Sequence, residues 1–256
     1  MAQIVCPSGL TGEIRGLKGK EADILGDRQA AKRGTIFNQV LDACWLRTDD
    51  KGVYDFADGA KLVWPKILIC DQTVAIMQVR IATYGNEYTF TVQCASEACR
   101  KRIEWDIDLS TLVTRALPDA SKELYKHGNR FEHELPDGSG KRFWHRLLTV
   151  GDAMKASALI DQNPNRVWST ALGLRIIEIE GIKAPDRQRY IQEMDLGAQG
   201  DIIEMLDEVD GGIDNEITIE CPSCYSQQDV RLPFDGAFLM PPKKRKKKAT
   251  EQESES

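Results

Sequence analysis

The chain opens on an extended pattern. In "QIVCPSGLTGEIRGL" extended residues flank Pro7, Ser8 and Gly9, which predicts a β-hairpin. From Gly19 the pattern turns helical: in "KEADILGDRQAAKRG", Ile24 and Leu25 lie at helical spacing from Glu21 and Arg28. "TIFNQVLDACWL" predicts a further helix with Thr35 as its N-cap. It places Ile36, Val40 and Cys44 on one face and Phe37 and Leu41 beside it, with Cys44 acting as a small buried hydrophobe. Residues 48–62 read as a polar loop or short hairpin. "ILICDQTVAIMQVRIATYG" then predicts a mostly buried helix, capped by Asp71 and stopped by Gly85, with Val74, Met77, Ile81 and Tyr84 at helical spacing.

"EYTFTVQC" alternates as a strand does, and "KRIEWDIDL" does so again beyond Cys94 and Cys99. "NRFEHELPDGSGKRFWHRLLTV" predicts two strands around an Asp-Gly-Ser-Gly turn. Helical segments follow over 150–162, 165–180, 185–195 and 199–209, with Pro164 and Pro185 at or just before helix starts. "DGGID" breaks the last helix before the strand that carries Cys221. The fold class is therefore α+β, a helical core with an N-terminal β-hairpin and a β unit split between two distant cysteine turns. The segments group as 1–110 (hairpin, helices and first turn), 111–214 (an inserted β-hairpin and helical region), 215–242 (second turn) and 243–256 (a basic tail).

Composition narrows the class. A chain of 256 residues with 41% apolar content can bury a core without disulfides. No run approaches the ~18 apolar residues of a membrane span, and "MAQIVCPSGLTGEIRG" lacks the basic and apolar regions of a signal peptide. An intracellular protein is expected, its seven cysteines present as thiols or metal ligands. The net charge of −6 is uneven: six basic residues and three glutamates leave 243–256 at +3 and the other 242 residues at −9. So acidic a body is poorly suited to phosphate backbones. Any nucleic-acid contact would fall on Lys243, Lys244, Arg245, Lys246, Lys247 and Lys248, a run that resembles a monopartite nuclear localisation signal. The composition of the tail predicts disorder.

Two segments resemble each other, "YTFTVQC-ASEA-CRKRIEWDIDL" and "NEITIEC-PS-CYSQQDVRLPF". Each reads as strand, cysteine, tight turn, cysteine, strand, the pattern of a zinc knuckle. Two knuckles complete the four-thiolate tetrahedral shell that Zn²⁺ accepts, with Cys94, Cys99, Cys221 and Cys224 as ligands. The separation is unusual, with 121 residues between Cys99 and Cys221. A zinc ion held this way would fasten both ends of the insertion, and loop-closure entropy grows only logarithmically with length. The alternatives are two unrelated cysteine pairs or a redox Cys-x-x-C. The latter wants a helix N-terminus after its first cysteine, which "YSQQDVRLPF" does not resemble.

Other chemistry falls away. "FEHELPDG" has His133-Glu134, but Asp137 stands where a metallopeptidase motif needs histidine, and Pro136 breaks its helix. His133 and His145 fall in the predicted hairpin, near His127 in sequence, and are expected at a surface or interface. "GLTGEIRGLKGKE" lacks phosphate-loop spacing, because Glu21 follows the lysine. A four-sulfur zinc leaves no position for a catalytic water. The expectation is a protein that is not an enzyme.

Four segments taken in order resemble the T4-type baseplate hub assembly chaperones of contractile-tailed phages and related prophages: "PSGLTGEIRGLKGKEADIL", "RIATYGNEYTFTVQC…C…IEWDIDL", "GGIDNEITIECPSC" and "DVRLPFDGAFLMP". The first cysteine pair departs from the two-residue spacing expected of such a knuckle, and "PPKKRKKKATEQESES" has no assigned counterpart. The resemblance implies a non-catalytic assembly chaperone or structural component with one structural zinc. Baseplate hub or other tail proteins are the implied partners, in the cytoplasm of the bacterial host, with retention in the virion baseplate left open. The competing reading is a zinc-ribbon nucleic-acid-binding protein acting through its basic tail.

Overall fold

The N-terminal hairpin forms where the turn residues place it. β1 (Ala2–Val5) pairs antiparallel with β2 (Leu10–Ile14), in register from Ala2↔Ile14 to Val5↔Thr11. The computed structural model describes residues 1–162 and 167–241, so Pro164 and the basic run 243–248 lie outside the described residues. Two short helices follow, α1 (Ala22–Gly26) and α2 (Arg28–Lys32), the second capped by Asp27, whose carboxylate accepts from the Gln29 and Ala30 N–H groups. α3 (Ile36–Cys44) buries Ile36, Val40, Leu41 and Cys44 as its periodicity predicts. Thr35 stands at the N-cap position, but its hydroxyl donates to the Ala30 carbonyl at 3.3 Å and caps nothing.

Residues 48–62, expected as a polar loop or short hairpin, begin with the end of a strand. β3 (Trp45–Lys51) pairs with β2 and completes a three-stranded sheet in the order β1-β2-β3. An edge strand open to solvent can carry "RTDDK" because its ladder, rather than apolar alternation, holds it. Gly12 sits where the Trp45 ring and the Arg47 carbonyl cross β2, leaving no room for a Cβ.

α4 (Ile69–Tyr84) is the axis of the main core, burying Val74, Ala75, Ile76, Met77 and Val79, and Gly85 ends it at φ +84°. Asp71 is not its cap. The carboxylate turns inward and is fully buried. It accepts from the Ser8 N–H at 3.0 Å, from the Ser8 hydroxyl, and from the Tyr54 hydroxyl at 2.6 Å. Tyr54 in turn accepts from the Leu68 N–H at 2.9 Å. One carboxylate therefore ties the β1–β2 turn, the segment after β3 and the start of α4 into one network. Burial pushes its pKa up, against the pull of Ser8 and Tyr54.

β4 (Glu87–Gln93) and β5 (Arg102–Asp108) form a seven-pair antiparallel hairpin. β6 (Thr114–Arg115) and α5 (Asp119–Lys126) lead to β7 (Phe131–Glu134) and β8 (Arg142–His145), the predicted second hairpin. α6 (Val150–Gln162) and α7 (Val167–Arg175) follow. The helix expected over 165–180 stops early: β9 (Ile176–Ile179) joins β8 and makes the order β7-β8-β9. "IIEI" is rich in β-branched residues, so the free edge of β8 outcompetes helix continuation. α8 (Ala184–Glu193) starts with Pro185 in its first turn, and α9 (Leu196–Glu208) ends before β10 (Gly212–Ile213), which pairs with β6. β11 (Glu216–Glu220) and β12 (Gln227–Arg231) form the last hairpin.

The buried apolar residues fall into separate clusters. The main core joins the N-terminal sheet, α3, α4 and the terminal Leu232, Phe238 and Leu239. A second packs Phe143, Ile176 and Ile179 of the β7–β9 sheet against Leu172, Ile191, Ile202 and Leu206. His145 lies between Phe131 and His133, with ring centroids 5.0 and 5.1 Å away. It is fully buried, contrary to a surface placement, and neither ring nitrogen has a hydrogen-bond partner. The alternation "FWH" on β8 points it inward, the same side as Phe143, and His133 is only half-buried.

Candidate metal centre

The third cluster is the smallest: Cys94, Ile103, Ile219 and Cys221, with Val92, Trp105, Ile217 and Val230 packed around them. It forms where the β4–β5 and β11–β12 hairpins meet, and it brings together all four predicted cysteines. Their sulfurs lie within 4.8 Å of one another, Cys94 to Cys224 at 3.6 Å and Cys99 to Cys221 at 3.9 Å. A tetrahedral shell with metal–sulfur bonds of about 2.3 Å sets its sulfurs about 3.8 Å apart, so the donor set fits one Zn²⁺. A disulfide needs about 2 Å and is not what these distances describe.

The two turns are equivalent despite their unequal spacers. The amide of the first cysteine donates to the carbonyl two residues after the second: Cys94 to Lys101 at 2.8 Å, and Cys221 to Ser226 at 2.9 Å. The residue just after the second cysteine is left-handed in both, Arg100 at φ +47° and Tyr225 at φ +59°. The first cysteine of each pair is buried, and the second lies nearer solvent. The four-residue spacer therefore adds residues to the turn without changing how the thiols are presented.

Two polar residues complete the arrangement. The Ser226 hydroxyl lies 3.4 Å from the Cys94 sulfur and 3.1 Å from that of Cys224. Gln228 joins the hairpins, accepting from the Ala95 N–H at 2.6 Å and donating to the Gln93 carbonyl at 3.1 Å. Sequence reasoning missed both; their only signal is position, two and four residues past Cys224. The Ser226 hydroxyl and amide hold the Cys224 thiol down, to about 6. At Cys99 the backbone pull of Lys101 is overridden by burial and by the other sulfurs, and the thiol rises to about 11. Thiols this crowded share protons rather than ionise together, and a bound cation is what lets all four become thiolates.

Elsewhere, a groove of about 590 Å³ runs between α6, α7 and α9, with Ala153, Ala156, Ile160, Trp168 and Ile203 on its walls and Arg231 of β12 at its edge. No helix among the described residues is long and apolar enough to cross a membrane. Comparison of the chain with protein-family models, curated proteins and solved structures returned no match.

Proposed function

We propose that the protein is a non-catalytic assembly chaperone or structural component of a contractile-tail baseplate hub, carrying one structural zinc per chain. The observation that carries this reading is the closed four-cysteine set at the junction of β4–β5 and β11–β12. Four thiolates fill a zinc shell, so the ion holds shape and leaves no position for a substrate or water. It fastens the two ends of the long segment that contains the second core. The ordered sequence likeness to hub chaperones supplies the direction of the assignment. The apolar groove beside Arg231 suits a role in binding protein, since exposed apolar surface of this kind accompanies interaction sites. The work would be done in the host cytoplasm on hub or other tail proteins.

Affinity purification of the tagged, zinc-loaded chain from infected or induced cells, with crosslinking, tests the role. Recovery of baseplate tail proteins is expected, and recovery of none under crosslinking overturns it. Metal analysis of the purified protein, expected at about one zinc per chain, tests the ion separately.

A further inference from the structure

One cation in the main core has no counter-charge. Arg80, on α4, is 1% exposed and enters no ion pair among the described residues. Its Nε and Nη1 atoms are buried without a hydrogen-bond partner, and Nη2 reaches the Glu87 carbonyl at 3.5 Å, the limit of such a bond. Three rings surround the guanidinium instead. Tyr84 in the last turn of α4, Tyr88 on β4 and Phe238 stand with ring centroids 5.2, 4.6 and 5.3 Å from its Cζ. Burial depresses the pKa of the arginine, and the two tyrosines offset part of that. Aromatic faces return only part of the hydration that a guanidinium gives up, and buried charges are ordinarily paired. Elsewhere the molecule follows that rule: buried Glu21 meets Arg15 at 2.8 Å, and buried Asp152 meets Arg146 at 2.8 Å.

The cover over this cage is short and loosely tied. Phe238 belongs to the segment that follows β12, in which Leu232, Phe238 and Leu239 are buried and Pro233, Asp235, Ala237 and Met240 are exposed. Its ring meets Tyr88 edge-on at 5.0 Å. From Pro233 to Met240, a single hydrogen bond among the described residues leaves the segment, from the Tyr84 hydroxyl to the Leu239 carbonyl at 3.3 Å. The others join the segment to itself: Asp235 accepts from the Ala237 and Phe238 amides at 2.9 and 3.3 Å, and the Met240 amide donates to the Ala237 carbonyl at 3.0 Å. Arg80, Tyr84 and Tyr88, by contrast, stand on a helix of 16 residues and on a hairpin of seven residue pairs. The cage therefore has a fixed wall and a removable one, since segments with few bonds to their surroundings open first.

We infer that Arg80, Tyr84 and Tyr88 form a carboxylate-binding site for an acidic segment of a partner protein, with residues 233–240 as its lid. In the closed state Phe238 fills the place of the ligand and the cation stays unpaired. When the lid lifts, the unused Nε and Nη1 donors meet a carboxylate in a charge-assisted pair, stronger than a neutral hydrogen bond. One cation in an aromatic cage matches a singly charged planar acid, whereas a phosphate, with its greater charge, calls for more cations or donors than the cage holds. Beside the acid the ligand should carry an aromatic or bulky apolar group, because Phe238 vacates the space for one. Closure lowers the apparent affinity in proportion to the open fraction, so the lid sets how readily the partner binds. The site uses neither the cysteines nor the basic tail, so it stands or falls apart from the zinc and the hub role.

Amide exchange of the zinc-loaded full chain, with sodium benzoate as the probe, is the test. Benzoate carries one carboxylate and a ring like that of Phe238, and benzamide is its neutral counterpart of the same shape. Exchange in residues 234–240 should quicken about threefold or more in about 50 mM benzoate, because a ligand of the open form raises its population. Benzamide or sodium chloride at the same concentration should leave it unchanged. Residues 216–231 should keep their rates throughout, which separates lid opening from loosening of the clasp. In Arg80→Met, a side chain of similar length without the charge, exchange in 234–240 should slow about tenfold and lose its response to benzoate. No response to benzoate in the unaltered chain, an equal response to benzamide or chloride, or quickening shared by 216–231 each overturn the proposal. Equal or faster exchange in Arg80→Met also overturns it, because the cation would then help to hold the segment shut. Should the variant not fold, the benzoate, benzamide and chloride series on the unaltered chain decides the matter.

Discussion

The main core and the clasp solve the same problem with different means. Around α4, burial of Leu10, Ile14, Val40, Trp64, Ile76 and Phe238, among many others, removes enough apolar surface to hold the unit without a crosslink. In the clasp, Ile103 and Ile219 are the fully apolar residues buried between two hairpins, and isolated hairpins are marginal in water. A unit that small needs a staple, and four sulfurs stand where one ion would supply it. The polar centres differ accordingly. Asp71 serves the main core by accepting hydrogen bonds within it, whereas Ser226 and Gln228 serve the clasp by holding the cysteine sulfurs and joining strands.

The largest expected effect tests whether the clasp depends on metal and the main core does not. Chelation, or Cys221→Ser, should abolish zinc binding. Amide exchange in residues 87–108 and 216–231 should then accelerate by about a hundredfold or more, while that of α4 stays within a few-fold of its starting rate. Equal loss of protection in α4 would show one cooperative unit and end the contrast.

The reverse experiment removes the carboxylate of the main core. Asp71→Ala leaves the Ser8 amide and hydroxyl and the Tyr54 hydroxyl as buried donors without their acceptor. It should lower stability by about 3–5 kcal/mol in urea denaturation while zinc stoichiometry is unchanged. Loss of zinc with it would tie the two regions together.

The smallest effect concerns His145, which belongs to the β7–β9 sheet. Burial first, then the nearby His133 and Arg175, depress its pKa to about 3. A depressed pKa means that the neutral form is the folded one. Its contribution is therefore present above the unfolded value of about 6.5 and is lost as pH falls toward 3. His145→Phe should remove that acid-side loss and, by relieving two unpartnered ring nitrogens, add about 1–2 kcal/mol near neutrality. Denaturation curves across that pH range check both, and an unchanged acid slope would place the proton elsewhere.

Much of the fold was legible because its signals are local. Turn residues at Pro7–Gly9, the helical spacing of α3 and α4, and alternation in β4 and β5 act over a few residues, where sterics and amphipathicity decide the outcome. The cysteine set was legible for a related reason: thiol chemistry admits few partners, so two pairs in similar strand contexts implied each other across 121 residues. What tertiary structure alone decided is how residues without such exclusive chemistry are used. Asp71 in a first turn could cap or turn inward, and the donors that claim it lie 63 and 17 residues away in sequence. "IIEI" could extend a helix or form β9, and the open edge of β8 settled it. Ser226 reached Cys94, and Gln228 the strand before it, only when the opposite hairpin arrived. Local pattern specifies what a segment can form, and the partner brought from far along the chain selects among those forms because burial and hydrogen bonding reward only one.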